Sequence, residues 1–127
     1  MDNEIGYQFG FLLDKYKTHC IFYKKIGIEK KRMNYVFYDL ETSGKDPCWD
    51  QILQVGAILV DKSFNVLDML EMKAKLKPGL IPSAYALKVN HSTFGSVIEN
   101  KNSHYEMICK LERKFKEWSP AVFIGYN

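Results

Sequence analysis

Two carboxylates, Asp39 and Glu41, stand one residue apart at the end of an apolar run, Tyr35-Val36-Phe37-Tyr38, and Thr42-Ser43-Gly44 follows them. Side chains alternate faces along a strand. A strand over 35–41 therefore aims both acids the same way and turns Leu40 into packing on the other side. Like charges held side by side at the end of a buried strand repel in low dielectric. The usual compensation is a hard divalent cation, Mg2+ or Mn2+, bound through oxygen. The chemistry such a pair serves is metal-dependent attack on a phosphodiester.

The spacing carries no weight by itself. With 15 acids in 127 residues, chance alone gives roughly two acid-x-acid pairs. Asp2-Asn3-Glu4 is one of these, at a polar terminus with no strand before it. What sets Asp39 and Glu41 apart is the hydrophobic run before them and the small, flexible turn after them.

The elements that position the pair follow from periodicity. Beyond a turn over 42–47, Trp49 and Asp50 lead into Gln51-Ile-Leu-Gln-Val-Gly-Ala-Ile-Leu-Val60. This run is almost continuously apolar and β-branched, which predicts a central strand buried on both faces, with Trp49 as cover for it rather than a base-stacking surface. In 64–77, Leu70, Met72, Ala74 and Leu76 alternate with Glu71, Lys73, Lys75 and Lys77, the pattern of a half-exposed antiparallel strand. A short helix is expected over 83–89 behind Pro82, with Ser83 as its cap, and 90–102 reads as loop with room for a helical turn. Ser103-His104-Tyr105-Glu106 matches a capping box. The helix it opens carries Ile108, Leu111, Phe115 and Trp118 on one stripe. Ser119-Pro120 stops it, and Ala121-Val-Phe-Ile-Gly125 is again strand-like. A strand reached through a helix runs most simply parallel to an earlier one, here the first. The order is three antiparallel strands, then helices, then a parallel strand: an α/β domain.

Composition sets the outer bounds. The chain is 46% hydrophobic and 14% aromatic, enough for one core. No window reaches the apolar length needed to span a membrane. Cys20, Cys48 and Cys109 are odd in number and far apart, which fits a reducing cytoplasm better than a disulfide framework. The net charge of +3 lies wholly in residues 1–32, with seven Lys/Arg against four Asp/Glu. Charge therefore gives the remaining 33–127 no claim on nucleic acid. His91 and His104 read as structural. Residues 1–32 carry no motif and are expected to be an extension outside the domain, with Met33 a candidate start. An end at Asn127, directly after a buried strand, is expected to be a truncation.

Tyr38-Asp39-Leu40-Glu41-Thr42-Ser43-Gly44 resembles the first motif of the DEDD superfamily of exonucleases, which have a ribonuclease-H-like fold. Gln54-Val55-Gly56-Ala57-Ile58 is similar to that family's second strand, and Phe64-Asn65-Val66 to its turn into the third. Leu76-Lys77-Pro78, Ile81-Pro82-Ser83 and Ala86-Leu87 resemble the segment that follows in the bacterial exonuclease I subfamily. Ile124-Gly125-Tyr126-Asn127 resembles the start of the second motif. Where the family often has a glycine, this chain has His91, within Val89-Asn90-His91-Ser92.

The resemblance implies a 3′→5′ exonuclease on single-stranded DNA using two Mg2+ or Mn2+ ions in the complete enzyme. It implies that Asp39 and Glu41 are catalytic metal ligands, Asp39 bridging both ions and Glu41 holding the one on the nucleophile side. It implies that Thr42, Ser43 and Gly44 bring backbone to the terminal nucleotide, with Gly44 leaving no side chain in the way. Val89 or Asn90 would touch the last sugar or base, and Asn127 would help fix the second motif. A monomer is implied, with single-strand DNA-binding protein as a partner. The other two metal-binding acids and the histidine general base would lie beyond Asn127, so this stretch alone is expected to bind metal weakly and cleave little. Two alternatives stay open: an exonuclease of RNA ends of the oligoribonuclease or ribonuclease T type, and a catalytically incomplete nucleic-acid-binding fragment.

Overall fold

The computed structural model describes residues 33–125. The readings made for residues 1–32, Tyr126 and Asn127 lie outside them. Four strands form one sheet: β1 Asn34–Thr42, β2 Ile52–Val60, β3 Val66–Lys73 and β4 Ala121–Gly125. Three helices lie between β3 and β4: α1 Ala84–Val89, α2 Phe94–Ile98 and α3 His104–Trp118. The sheet order is β3-β2-β1-β4. β1 and β2 are antiparallel, β2 and β3 are antiparallel, and β4 is parallel to β1, with Val36 opposite Phe123. This is the α/β order that the periodicity predicts.

The alternation along β1 divides the core. Val36 packs with Ala57, Leu59 and Trp118 on the face that α3 covers, joined by Tyr38 and Phe115. Tyr35 and Phe37 pack with Ile58 and Val60 on the opposite face, joined by Phe64 and Ile124. Each fully buried Val or Phe of this kind contributes about 1.5–3 kcal/mol. β2, central in the sheet, is buried through Val55, Ala57, Ile58, Leu59 and Val60.

α3 starts as the sequence indicates. Ser103 accepts from the Glu106 amide at 3.1 Å, and the Glu106 carboxylate accepts from the Ser103 amide at 2.8 Å. Its two fully buried residues are Met107 and Trp118. Ile108, Leu111 and Phe115 sit half-buried between them. Trp118 is anchored by its indole N–H, which donates to Asp68 of β3 at 2.9 Å, and Lys114 pairs with the same carboxylate at 2.8 Å. His104 is the helix's first residue, and burial together with Lys77 holds its pKa below the usual value. A neutral imidazole suits the positive end of a helix.

Three expectations change. β3 is shorter than 64–77 because its partners change after Lys73. The Ala74 amide turns to Leu53, Lys75 to Asn102 and Leu76 to Val97. The alternation outlasts the ladder because Ala74 and Leu76 stay buried. The loop expected over 90–102, with its helical turn, sharpens into the five-residue α2, opened by a capping box in which Thr93 pairs with Ser96 instead of a Glu or Gln. Trp49 covers nothing: it is 80% exposed, on a turn closed by its own amide donating to Asp46.

Candidate active site

Asp39 and Glu41 are the last two residues of β1 on the face that also carries Tyr35 and Phe37. They stand opposite Gly56 and Gln54 of β2. Glu41 is half-buried, and its pKa is raised above the usual 4.5, first by burial, then by the charge of Asp39, with His91 acting in the opposite direction. Asp39 accepts a hydrogen bond from the Leu40 amide at 3.0 Å. Leu40 does not enter the core as expected; it is 36% exposed. Phe115 and Trp118 cover β1 at Val36 and Tyr38.

Directly past Glu41 the ladder shifts: Glu41 pairs with Gln54, but Thr42 pairs with Ile52. Leu53 is the extra residue, and its side chain drops into a cluster with Leu76, Val97, Leu80 and Leu87. Such a bulge bends the strand and re-aims side chains beside it. The bend delivers the chain into a densely bonded turn. The Ser43 amide donates to the Gln51 carbonyl at 2.9 Å. Its hydroxyl donates to Asp50 at 2.8 Å and accepts from the Gln51 amide at 3.0 Å. Asp50 also accepts from the Asp46 amide at 2.9 Å. Buried Gln51 accepts from the Lys77 amide at 2.8 Å and donates to the Lys75 carbonyl at 2.9 Å.

These bonds redistribute the roles expected of the turn. Ser43 is fully buried with all its polar groups engaged, so it holds the turn's shape. Thr42 donates its hydroxyl to the Gly44 carbonyl at 2.7 Å. At Gly44 a Cβ would stand 2.3 Å from a carboxylate oxygen of Asp50. The empty position is therefore filled by Asp50, whatever else approaches it.

Helix α1 is tied to this turn at both ends. The Ser83 amide donates to the Ser43 carbonyl at 2.7 Å, and the Asn90 side-chain amide donates to the Thr42 carbonyl at 3.0 Å. Ser83 also caps the helix, as its position predicts, by accepting from the Ala86 amide. Val89 is 54% exposed. His91 has φ +51. Its amide donates to Lys88 and that of Ser92 to Leu87, which is the paired closure of a helix that ends in a left-handed residue. Glycine suits that conformation best, which accounts physically for the family's preference there. A cavity of about 70 Å³ opens beside Glu41, lined by Gln54, Lys73, Asn90, Ser92 and Asn100 among others.

The structure thus brings Asp39, Glu41, Thr42, Gly44 and Asn90 together, with Val89 at the rim. Asp50 and Gln51 support the site without a sequence motif to announce them. His91 is different, because its departure from the family's glycine marked the position. Among the described residues, no three His, Cys, Asp or Glu side chains gather as a metal centre. The chemistry of the two acids fits a hard cation: oxygen donors on one face, with Glu41 burdened by burial and by its neighbour's charge.

No protein-family model and no curated protein matches the sequence. Solved structures match by fold. Exonuclease I in complex with the inhibitor BCBP superposes with a TM-score of 0.68 at 24% identity, over 77% of this chain and 22% of its own. E. coli exonuclease I with a dT13 oligonucleotide gives 0.68 at 23% identity, over 76% and 21%. A moderately thermophilic exonuclease I from Methylocaldum szegediense gives 0.66 at 25% identity, over 75% and 20%. Others are an E. coli ExoI–ssDNA complex in zinc-bound and metal-free forms, and an ExoI/SSB-Ct complex. This chain spans about a fifth of the length of the structures it matches. The fold of the described residues, a mixed four-stranded sheet with helices, is similar to that of the exonuclease I structures.

Proposed function

We propose that this chain belongs to a metal-dependent exonuclease that removes nucleotides from the 3′ end of single-stranded DNA. The observation that carries the reading is the pair Asp39 and Glu41 on one face at the end of β1, with Glu41's pKa raised by burial and by Asp39. Mg2+ or Mn2+ held by these acids would supply charge neutralisation and an acidified water at the scissile phosphate. Asp39 and Glu41 present the oxygens. The Ser43–Asp50–Gln51 bonds keep the turn beneath them in one shape. Asn90 and the Thr42–Gly44 backbone lie where a terminal nucleotide would meet the acids, and Val89 offers it an apolar edge. The solved complexes with oligonucleotides, with metal and with SSB-Ct support DNA, a divalent ion and single-strand DNA-binding protein as what the complete enzyme uses.

Two measurements test this. Titration of Mn2+ into the chain, followed by paramagnetic broadening of backbone resonances, should broaden Asp39, Glu41 and Thr42 first, and Asp39→Asn should abolish the effect. The protein that carries this chain should release labelled mononucleotide from 3′-labelled single-stranded DNA in Mg2+. Broadening elsewhere, or a preference for RNA over matched DNA, would overturn the metal assignment or the substrate assignment respectively.

A further inference from the structure

α1 carries a tyrosine that no packing requirement explains. Tyr85, its second residue, is 65% exposed. The ammonium of Lys45 lies 5.3 Å from the centre of its ring. Lys45 belongs to the turn that leaves β1, one residue after Gly44, so the pair bridges the turn and the helix. Because α1 is bonded at its start to Ser43 and at its end to Thr42, the ring is fixed relative to Asp39 and Glu41. Lys88 lies one helical turn beyond Tyr85 on the same side and is exposed. The acids of this turn are committed: Asp50 to Ser43 and Asp46, and Asp46 to the Cys48 amide. The turn also presents the exposed Trp49.

The lysine stands over one face of an exposed aromatic ring, and an aromatic face with a cation next to it is the elementary unit of single-strand binding. The ring stacks a base of any identity, and the cation meets the adjoining phosphate. A duplex hides its base faces, so the arrangement selects an unpaired strand. We propose that Tyr85 and Lys45 form a stacking platform for one base of a single-stranded nucleic acid, next to the acids of β1. Tyr85 supplies the surface and Lys45 the phosphate contact. This rests on the nuclease reading for what happens to the strand, but the binding step is separable from cleavage.

The test is binding of fluorescein-labelled oligothymidylate to the chain, read by anisotropy in chelator so that no hydrolysis occurs. Tyr85→Ala should weaken binding roughly 5- to 100-fold, while Tyr85→Phe should stay within about twofold, because the ring and not the hydroxyl does the stacking. An abasic strand of the same length should bind weakly to the unaltered chain and show no further loss with Tyr85→Ala. Lys45→Ala should reduce the salt dependence by about 0.7 in the log–log slope, the signature of one phosphate contact on a single strand. Equal loss on abasic and normal strands, unchanged binding with Tyr85→Ala, or no binding to any single strand would overturn the platform. Because the strand is bound in chelator, no metal at Asp39 or Glu41 enters the measurement. The platform and the metal assignment can therefore fail separately.

Discussion

Gly44 offers the most direct check on how the turn beneath the acids is built. In Gly44→Ala the new methyl would lie 2.3–2.6 Å from both carboxylate oxygens and the carboxyl carbon of Asp50. Asp50 must swing away, because the turn's backbone is held by the Ser43 and Gln51 bonds. Moving it breaks the 2.8 Å bond from the Ser43 hydroxyl and the 2.9 Å bond from the Asp46 amide. The Ser43 hydroxyl is fully buried, so its lost acceptor is not replaced by water. An unsatisfied buried group costs about 1–3 kcal/mol, and a lost bond to a charged partner is of similar size. A net destabilisation of about 2–3 kcal/mol follows, a fall of roughly 8–24 °C in Tm for a domain of this size. Urea unfolding followed by circular dichroism measures it. The decisive variant is the double one. Asp50→Ala loses the same bonds without a clash, so Gly44→Ala added to it should cost almost nothing, giving a coupling of about 2 kcal/mol. Additive effects, or Gly44→Ala at full stability, would refute this account. Full stability with weakened nucleic-acid binding would return Gly44 to the role inferred from the motif, an opening left for a nucleotide.

Two further outcomes follow from the site's geometry. His91 occupies a left-handed conformation that costs a non-glycine residue about 1–2 kcal/mol, of which glycine's greater freedom in the unfolded chain returns about 0.5–1. His91→Gly should therefore stabilise the domain by about 0.5–1 kcal/mol, and a lowered Tm would mean the imidazole holds a contact worth more than its strain. Glu41's pKa is raised in the fold, so its favourable contribution is complete below the ordinary value of 4.5 and is lost as pH rises through the raised one. In chelator, Glu41→Gln should remove that part of the fall in Tm above pH 4.5, and Mg2+ should remove it in the unaltered chain. A pH profile unchanged by the substitution would count against the strained pair.

The strand order, the parallel return of β4 and both Ser caps were legible because each rests on local signals: an alternation, a stop at Pro120, a serine three residues before its partner. The acids were legible only through their flanks, as Asp2 and Glu4 demonstrate by sharing the spacing without them. What escaped depended on contacts distant in sequence. Gln51 looks like the first residue of a strand, and only the arrival of residues 75–77 makes it a buried clamp. Only a helical turn of α2 was legible, because Ser96 takes the place of the glutamate that usually announces a capping box. Trp49 misled because a large apolar side chain beside a strand is commonly core, and a tight turn from Asp46 carried it outward. The motif also cannot reveal that Asp50 and Gln51 enclose the Ser43 side chain, because neither belongs to it.

The attachment of α1 at both ends has a kinetic meaning as well as a geometric one. A helix of six residues has little stability of its own, and α1 has no fully buried residue. It persists because Ser43 and Thr42 hold it, and that turn in turn gives up two carbonyl partners whenever the helix opens. The two should therefore open as a single cooperative unit in native-state hydrogen exchange, with the Ser83 amide sharing the protection of the Ser43 amide and exceeding that of the helix's outer turn. Mobility near the acids would then come in one step, with the end of β1 losing its floor and its neighbouring helix together.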